Sequence, residues 1–273
     1  MLGAIIGDIC GSLYEFNNCK DYDAVELFKE GCHFTDDTVM TVAIAHALMD
    51  IKEETTELHL TDAVTERMQQ YGRAYPHAGY GGLFEQWIWS DKPRPYNSYG
   101  NGSAMRVSPV GWLYESLSTT MRVAKQTAYI THSHPDGLRG AETIAGSIYL
   151  LSEGCLKDEV EEFAIDQGYH LDFSIDELRP EYTFDVTCKG SVPQAIKCFL
   201  ESTDFEDCIK LSISLGGDSD TIAAMSCALA EAHYGIPKWM LPKVFSLLPQ
   251  EMLEQYSRFK ELAFDRHERS MVL

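Results

Sequence analysis

The spacing of apolar residues along the chain predicts a protein built almost entirely of helices. Residues 39–49 are apolar nearly all round, which is typical of a buried helix, and Thr35 or Asp36 stands where its N-cap belongs. Residues 61–71 instead show apolar positions at the helical period, which indicates an amphipathic, exposed helix. Strand signals are weak, because residues 182–187 form too short a run to build a sheet. We therefore expect an all-α fold.

Turn and capping residues divide the rest of the chain into further helices. Four of these are predicted at residues 120–130, 138–151, 205–215 and 221–234. Gly216 and Gly235 end the last two, because glycine accepts the backbone conformation of a helix C-terminus. Another helix is predicted to start at Ser191 as its cap, with Pro193 in the first turn. By contrast, residues 76–109 hold five glycines and read as a long loop, and such loops are usually functional.

Composition is that of an ordinary globular protein with an acidic surface. The 273 residues are 45% apolar and 23% charged, and we expect one domain spanning residues 1–273. Acidic residues outnumber basic ones by 42 to 22, so the net charge is −20. Such a surface repels phosphate backbones, which argues against general nucleic-acid binding. Backbone N–H groups, helix N-termini or metal ions would have to receive any phosphate on a substrate.

Targeting signals and disulfide patterns are missing from the sequence. No apolar run reaches the roughly 18 residues of a membrane helix, and the apolar N-terminal stretch lacks a preceding basic region. The eight cysteines are scattered and form no Cys-x-x-Cys pair, which is typical of free thiols in a reducing compartment. We expect a cytoplasmic protein that does not bind membranes.

Two short segments carry the same arrangement of oxygen-bearing side chains, each at the start of an apolar helix. They are Thr35, Asp36, Asp37 and Thr38 in the first, and Asp218, Ser219, Asp220 and Thr221 in the second. Helix capping explains one carboxylate per helix, whereas buried carboxylates packed together repel one another unless a cation joins them. Oxygen ligands select hard ions such as Mg²⁺, Mn²⁺ or Ca²⁺, and four carboxylates suit two ions. On spacing alone, metal binding and double capping are equally good interpretations.

The N-terminal helix adds two acids with different expected roles. Gly3, Gly7 and Gly11 recur every four residues and predict a flat face for close contact with another helix. Asp8 lies deep in the apolar run, and we interpret it as a hydrogen-bonded structural acid. Glu15 lies seven residues further on, at the predicted end of the helix, where it is a candidate metal ligand or base.

The segment Tyr-Gly-Asn-Gly-Ser-Ala-Met-Arg, which ends at Arg106, looks like an anion-binding loop. Gly100 and Gly102 allow the backbone to approach a ligand and to turn N–H groups towards it. Arg106 has two possible roles, either to contact the ligand or to brace a buried acid such as Asp8 or Asp37.

His132 is a further candidate ligand-binding residue. A Zn²⁺ site would need more His or Cys ligands than the His132 and His134 pair supplies. Binding of a ligand hydroxyl or phosphate by His132 is one interpretation, and a helix C-terminal histidine favoured by the helix dipole is the other. No Gly-x-Ser-x-Gly motif is present, so nothing indicates a nucleophilic serine.

Taken together and in order, six segments of the chain resemble the ADP-ribosylglycohydrolase family. They lie at residues 3–15, 34–38, 79–82, 100–106, 131–132 and 216–221. The resemblance implies a compact orthogonal helical fold with a dinuclear Mg²⁺ or Mn²⁺ centre at the mouth of a cleft. It also implies hydrolysis of the bond between ADP-ribose and a modified acceptor on a protein or small molecule, with arginine favoured. Serine or another O-linked acceptor, a nucleotide phosphohydrolase and a non-catalytic ADP-ribose-binding relative are the alternatives.

The resemblance also implies a role for each site residue. The implied metal ligands are Thr35, Asp36, Asp37, Asp218, Asp220 and Thr221. The implied substrate-binding residues are Gly79, Tyr80, Gly81, Gly100, Asn101, Gly102, Ser103, Met105 and His132. The implied catalytic residues are Glu15, Asp36 and Asp37. From aromatic content we expect Tyr80, Phe84 or Tyr99 to stack on adenine. Residues 151–189 match no motif of the family, and we expect this acidic segment to shape the acceptor side.

Overall fold

The computed structural model describes residues 1–51 and 57–270. In this part of the chain, α-helices and short 3₁₀ helices are connected by loops, and there is no β-strand. The α-helices are α1 (Leu2–Gly11), α2 (Asp36–Met49), α3 (Glu57–Ala74), α4 (Gly82–Ile88), α5 (Gly102–Met105), α6 (Leu117–Tyr129), α7 (Pro135–Ser152), α8 (Lys157–Asp166), α9 (Ile175–Leu178), α10 (Cys188–Glu201), α11 (Phe205–Leu215), α12 (Ser219–Tyr234), α13 (Met240–Leu247) and α14 (Gln250–Ser270). The predicted all-α fold class is confirmed. Gly100 and Thr187 form an isolated antiparallel bridge.

Close packing of α1 against α12 forms the centre of the fold. A Cβ atom at Gly3 would collide with the carbonyl oxygen of Cys227, and one at Gly7 with that of Ala223. Only glycine permits such an approach of two backbones, so the predicted flat face exists. At its C-terminal end, Gly11 packs against the Cα atom of Asp220. The glycine face therefore delivers the N-terminus of α12 to the end of α1.

Helix α2 begins at its predicted cap and is buried along most of its length. Thr35 is the N-cap, and its hydroxyl accepts a hydrogen bond from the backbone N–H of Asp37 at 3.4 Å. Eleven of its 14 residues are buried, as the unbroken apolar run at 39–49 predicts. The helix starts before that run, so Asp36 and Asp37 lie in its first turn.

Beyond residue 75, two details of the predicted secondary structure are wrong. Helix α10 starts earlier than predicted, because Thr187 rather than Ser191 caps it, accepting from Gly190 N–H at 3.0 Å. The Ser191 hydroxyl instead donates within the helix to the carbonyl of Thr187 at 2.6 Å. The predicted long loop at 76–109 contains α4 and α5. Helix α4 forms because Phe84, Trp87 and Ile88 bury one face at helical spacing.

The acidic segment before α10 folds into α8 and α9. Three of its acids, Glu161, Asp172 and Glu177, line a cavity of about 460 Å³ together with Lys197 and Glu201. None of the predicted site residues lines this cavity. Among the helices described, none is both long and apolar enough to traverse a bilayer.

Candidate active site

Asp8 fastens α1 to the N-terminus of α2 and is a structural acid, as interpreted from the sequence. It is completely buried. Its Oδ1 atom accepts from the Thr35 hydroxyl at 2.6 Å, and its Oδ2 atom accepts from Thr35 N–H at 2.9 Å and Thr38 N–H at 3.1 Å. The Thr38 hydroxyl also donates to Oδ2. These four donors occupy both carboxylate oxygens, so Asp8 holds the first turn of α2 in place.

Carboxylates from α1, α2 and α12, and from the turn after α1, converge in two adjoining groups. In the first, Asp8, Asp37 and Asp220 each offer an oxygen, and these oxygens lie within 4.8 Å of one another. In the second, Glu15, Asp218 and Asp220 do the same. Asp220 belongs to both groups. Carboxylates that are about 200 residues apart in the sequence therefore meet at one place through the contact of α1 with α12.

The ligand set fits a hard divalent cation. Asp37 is buried, and its Oδ1 atom has no hydrogen-bond partner, while Oδ2 accepts from the Thr221 hydroxyl at 3.1 Å. A buried carboxylate oxygen without a donor is unfavourable, and a bound cation would supply the missing partner. Oxygen-only ligands of this kind suit Mg²⁺, Mn²⁺ or Ca²⁺ rather than Zn²⁺.

Burial and mutual repulsion raise the pKa values of the clustered carboxyl groups. Burial, followed by the charges of Asp8 and Asp218, raises the pKa of Asp36 to about 8. Burial also raises the pKa of Asp37 and Asp220 well above the usual range for aspartate. Such groups do not all ionise together unless positive charge lies between them.

Glu15 reaches the carboxylate cluster from beyond the end of α1. The helix ends at Gly11, and Tyr14 N–H donates to the Gly11 carbonyl at 2.7 Å, so Glu15 lies in the following turn. The prediction that it lies at the end of the helix is wrong, and the structure places its carboxylate within 4.8 Å of oxygens of Asp218 and Asp220. Burial, with the charges of Asp218 and Asp8, raises its pKa to about 7.

The glycine-rich turn before α4 lies beside Asp36. The backbone N–H of Asp36 donates to the Ala78 carbonyl at 2.8 Å. Gly79 follows with a φ of +104°, which favours glycine, and a Cβ atom there would lie 3.6 Å from Asp36 Oδ1. The space around the α-carbon of Gly81 is open. The Tyr80 hydroxyl is buried without a hydrogen-bond partner, which leaves it available to a ligand.

Asn101 connects the glycine-rich loop at residues 100–106 to the cluster of carboxylates. Its side-chain amide donates to Asp218 Oδ2 at 2.6 Å. The backbone N–H groups of Gly100 and Asn101 donate to Ser98 Oγ at 3.1 Å and to the Val186 carbonyl at 2.8 Å. These two N–H groups therefore face protein acceptors rather than an anion. The loop contributes to the site chiefly by orienting Asp218.

The residues that follow Asn101 in this loop contact the interior of the protein. The Ser103 hydroxyl donates to the Gly137 carbonyl at 2.7 Å, and Met105 is buried. Gly102 faces His132, because a Cβ atom at Gly102 would lie 3.3 Å from His132 Nε2. The Ser103 side chain is thus already bonded to the protein, and any contact it makes with a ligand would come from its backbone.

His132 is buried and held through Thr131 by Arg106. Arg106 Nη2 donates to Thr131 Oγ1 at 2.8 Å, and this oxygen lies 2.7 Å from His132 Nδ1. Arg106 therefore orients the Thr131 hydroxyl that shares a hydrogen bond with His132 Nδ1, and the other ring nitrogen, Nε2, faces Gly102. Burial and Arg106 hold the pKa of His132 well below its usual range, so the ring is neutral. A neutral ring does not fit the dipole-stabilised interpretation.

Arg106 does not brace Asp8 or Asp37, as one interpretation of the sequence proposed. It is buried, its second hydrogen bond goes to the Thr127 carbonyl at 3.5 Å, and its guanidinium lies 5.7 Å from the centre of the Phe84 ring. Its role is therefore to position the turn that carries His132.

The three aromatic candidates for adenine stacking differ in the solvent exposure of their rings. Phe84 is buried and packs on Trp87 with ring centres 5.5 Å apart, so it belongs to the core. Tyr80 packs edge-on against Phe84 at 5.6 Å. Tyr99 is 55% exposed and contacts the edge of His134 at 5.5 Å. Tyr99 is the one of the three whose ring has substantial access to solvent.

Two residues near the site escaped sequence reasoning because their partners are distant in the chain. Asn18 exchanges hydrogen bonds with Gly217, its Oδ1 accepting from the glycine N–H at 2.7 Å and its Nδ2 donating to the carbonyl at 3.0 Å. Lys20 Nζ donates to the carbonyls of Leu215 and Tyr182. Both hold the loop that leads into Asp218, and no local motif signals contacts of this kind.

These features define a protein that is all-helical in its described residues, with a cluster of carboxylates suited to a hard cation. The sequence profile of the ADP-ribosylglycohydrolase family matches residues 1–269. The chain therefore belongs to the ADP-ribosylglycohydrolase family and is a hydrolase.

Curated relatives and a solved structure agree with this assignment. The chain is 27% identical to ADP-ribosylhydrolase ARH3 of Mus musculus, over 86% of this chain and 83% of that protein. It is 26% identical to ADP-ribosylarginine hydrolase Tri1 of Pseudomonas putida (strain GB-1), over 96% of this chain and 79% of that protein. A solved structure described as an ADP-ribosylglycohydrolase-related protein complex has a TM-score of 0.71 at 22% identity. The match covers 98% of this chain and 95% of the chain in that structure, which shows that the two proteins share a fold.

Proposed function

We propose that this protein uses two divalent cations, Mg²⁺ or Mn²⁺, to release ADP-ribose from a modified side chain, with arginine as the favoured acceptor. The proposal rests chiefly on Asp220, which belongs to both groups of converging carboxylates. A carboxylate shared between two groups of oxygen ligands suits a pair of ions that lie side by side, as in two-metal hydrolytic sites.

The residues that would hold the ions come from the N-termini of α2 and α12. They are Thr35, Asp36, Asp37, Asp218, Asp220 and Thr221. Asp8 is assigned to bracing α2, because its oxygens accept four hydrogen bonds, so Asp37 and Asp220 are the members of the first group that would hold an ion. When bound, the ions supply a positive charge that holds sugar hydroxyls and lowers the pKa of bound water.

The protein's own residues would orient the reacting sugar and move the proton. Cleavage of a glycosidic bond develops positive charge on the ribose ring, which the surrounding carboxylates Asp36 and Asp37 stabilise. Glu15 is half-buried, with a carboxylate oxygen within 4.8 Å of oxygens of Asp218 and Asp220, and is therefore placed to accept a proton from the attacking water. We assign the role of general base to Glu15.

ADP-ribose would be held mainly by neutral groups, which suits a protein with a charge of −20. His132 Nε2 faces Gly102, where this nitrogen would form a hydrogen bond with a diphosphate or ribose hydroxyl group. The turn of Gly79, Tyr80 and Gly81 would approach the ribose from the side of Asp36. As the family resemblance implies, we also assign Gly100, Asn101, Ser103 and Met105 to the loop that binds the substrate.

Arginine is favoured as the acceptor because of the local charge and one relative. Carboxylates attract a guanidinium group and can bind it with two hydrogen bonds. Of the acidic segment at residues 153–185, Asp185 is near enough to the site for its charge to raise the pKa of Asp218. Tri1, which matches 96% of this chain, is named an ADP-ribosylarginine hydrolase.

The experiment that tests the proposal is a product and linkage assay. The enzyme is incubated with matched peptides that carry ADP-ribose on arginine or on serine, and the products are separated by chromatography. We expect intact ADP-ribose and a larger kcat/KM for the arginine peptide, with a preference that weakens as salt rises. Release of AMP would indicate a phosphohydrolase, and binding without turnover a non-catalytic relative. Faster turnover of the serine peptide would overturn the acceptor assignment.

A further inference from the structure

Two exposed phenylalanines stack on each other beside the acidic cluster. The rings of Phe16 and Phe184 lie 5.9 Å apart between centres, with an angle of 24° between their planes. Phe16 is 84% exposed and Phe184 is 47% exposed. Phe16 directly follows Glu15, whose carboxylate approaches Asp218 and Asp220. The stack therefore stands at the edge of the site.

The backbone that carries Phe184 is fastened to two loops of the site. On one side, the Val186 carbonyl accepts from Asn101 N–H at 2.8 Å, and Thr187 pairs with Gly100. On the other side, the Tyr182 carbonyl accepts from Lys20 Nζ at 2.7 Å. The segment at residues 182–187 is thus held in place, and Phe184 lies in its middle.

The Tyr182 end of this segment also packs on the loop that leads into the second pair of carboxylates. Gly217 has a φ of +71°, and a Cβ atom there would lie 2.5 Å from the ring of Tyr182 and 3.0 Å from the Thr183 carbonyl. Glycine is therefore required at this position. The position of Phe184 relative to Asp218 is consequently built into the fold.

Chemistry and location together indicate what this aromatic pair contacts. Exposed apolar patches commonly mark binding sites, and an aromatic face attracts a guanidinium cation. Glu15 directly precedes Phe16 and Asp185 directly follows Phe184 in the sequence, and both add negative charge to this region. Among the described residues, His132 packs near Tyr96 and Tyr80 packs against Phe84, so the residues that we assign to ADP-ribose have other ring partners.

We propose that Phe16 and Phe184 form the acceptor platform of the enzyme, on which the guanidinium and aliphatic chain of the ADP-ribosylated arginine lie. This inference rests on the proposed function, because it names the residues that recognise the acceptor in the same reaction. The platform selects a planar cation next to the bond that is broken and contributes nothing to the binding of free ADP-ribose.

The test compares substrate turnover with product binding in the full-length, metal-loaded protein. Phe184→Ala should lower kcat/KM for the arginine-linked peptide about tenfold, as expected for loss of a desolvated cation–π contact. Phe16→Leu, which keeps an apolar side chain but no aromatic face, should lower it by a smaller factor. The Kd for ADP-ribose, measured by calorimetry, and the thermal unfolding midpoint should equal those of the wild type.

A matched control is Phe264→Ala, which removes a phenylalanine that is 60% exposed on α14 and should change none of these quantities. Unchanged peptide turnover in Phe184→Ala would overturn the platform, as would a parallel loss of ADP-ribose affinity. Failure of the proposed function has a different signature, because the wild type itself would then release no ADP-ribose from either peptide.

Discussion

The N-termini of α2 and α12 carry the same sequence pattern but use it differently. At α2, Thr35 serves as the cap, and Asp8 braces the first turn through four hydrogen bonds. At α12, Asp218 stands at the N-cap position but makes no capping hydrogen bond with its side chain. Its carboxylate instead accepts from Asn101. Each helix has a different partner that orients its acids.

The comparison shows why both pairs of acids are available for a ligand. Thr35 caps α2, and Asn101 orients Asp218 at α12. The aspartate side chains at the two N-termini are therefore not used for helix capping. The unpartnered Oδ1 of Asp37 is the direct sign of this at α2. Neither helix is capped by an aspartate side chain, which contradicts the double-capping interpretation that the spacing alone left open.

The largest effect is expected from Asp220→Asn, because Asp220 belongs to both carboxylate groups. We expect kcat/KM to fall on the order of a thousandfold, equivalent to about 4 kcal/mol of transition-state stabilisation. The metal-free protein should be as stable as the wild type or slightly more stable, since a repelling charge is removed. In the wild type, a cation at a hundredfold excess over Kd should add about 2.7 kcal/mol of stability.

Thermal unfolding with and without Mn²⁺ checks this prediction. Asp166→Asn, which changes an exposed aspartate on α8, serves as the control and should respond to the ion like the wild type. An equal metal response in Asp220→Asn would refute its assignment as a ligand.

Asp8→Asn should have the opposite effect on stability. An asparagine cannot accept all four hydrogen bonds, and each buried donor left without an acceptor costs about 1–3 kcal/mol. We also expect metal affinity to fall by about 10–100-fold, as is typical when a residue that orients metal ligands is changed. Chemical denaturation of the metal-free variant is the measurement, and wild-type stability would contradict the bracing role of Asp8.

Asn101→Ala should weaken the α12 half of the site while sparing the fold. Loss of the 2.6 Å hydrogen bond leaves Asp218 free to rotate, so metal affinity should fall by about tenfold. The α2 half should be unaffected, since its brace is Asp8. Calorimetric titration with Mn²⁺ would show weakening of one ion and not the other. Equal weakening of both ions would mean that the two helices are not braced independently.

A further prediction is a pH dependence of stability that the cations should remove. The pKa values of Asp36 and Glu15 are raised to about 8 and about 7 in the folded chain, so the folded state binds more protons than the unfolded state. Their contribution to stability is therefore complete below about pH 4 and is lost as the pH rises through 7 and 8. Urea denaturation between pH 5 and 9 should show this decline in the metal-free protein. A decline of the same size with saturating Mg²⁺ would contradict it.

Much of the helical architecture could be predicted from local sequence. The apolar run at 39–49, the glycine spacing in α1 and the stops at Gly216 and Gly235 are local signals, and the structure contains each feature they predict. The capping of α10 was misplaced because Thr187 and Ser191 are equally good caps in isolation. The antiparallel bridge of Thr187 with Gly100, an interaction between distant parts of the chain, accompanies the earlier start.

Candidate site residues could be proposed from motifs, but their supporting partners could not. Nothing near Arg106 in the sequence indicates that it bonds Thr131 rather than an acid. Likewise, the pairing of Asn18 with Gly217 joins residues 199 positions apart. The convergence of Asp8, Asp37 and Asp220 depends on the glycine contact between α1 and α12, which is a property of the packed structure rather than of any one segment.

The central claim is that two cations held by the α2 and α12 carboxylates are required for hydrolysis. Its most direct test is to strip the protein with a chelator and to titrate Mn²⁺ back, measuring bound ions by calorimetry and release of ADP-ribose from an arginine-linked peptide in the same samples. We predict two ions per chain and no activity without them, with recovery by Mn²⁺ or Mg²⁺ and poor recovery by Zn²⁺. Full activity in the metal-stripped protein, or saturation of activity with no ion bound at these aspartates, would contradict the claim.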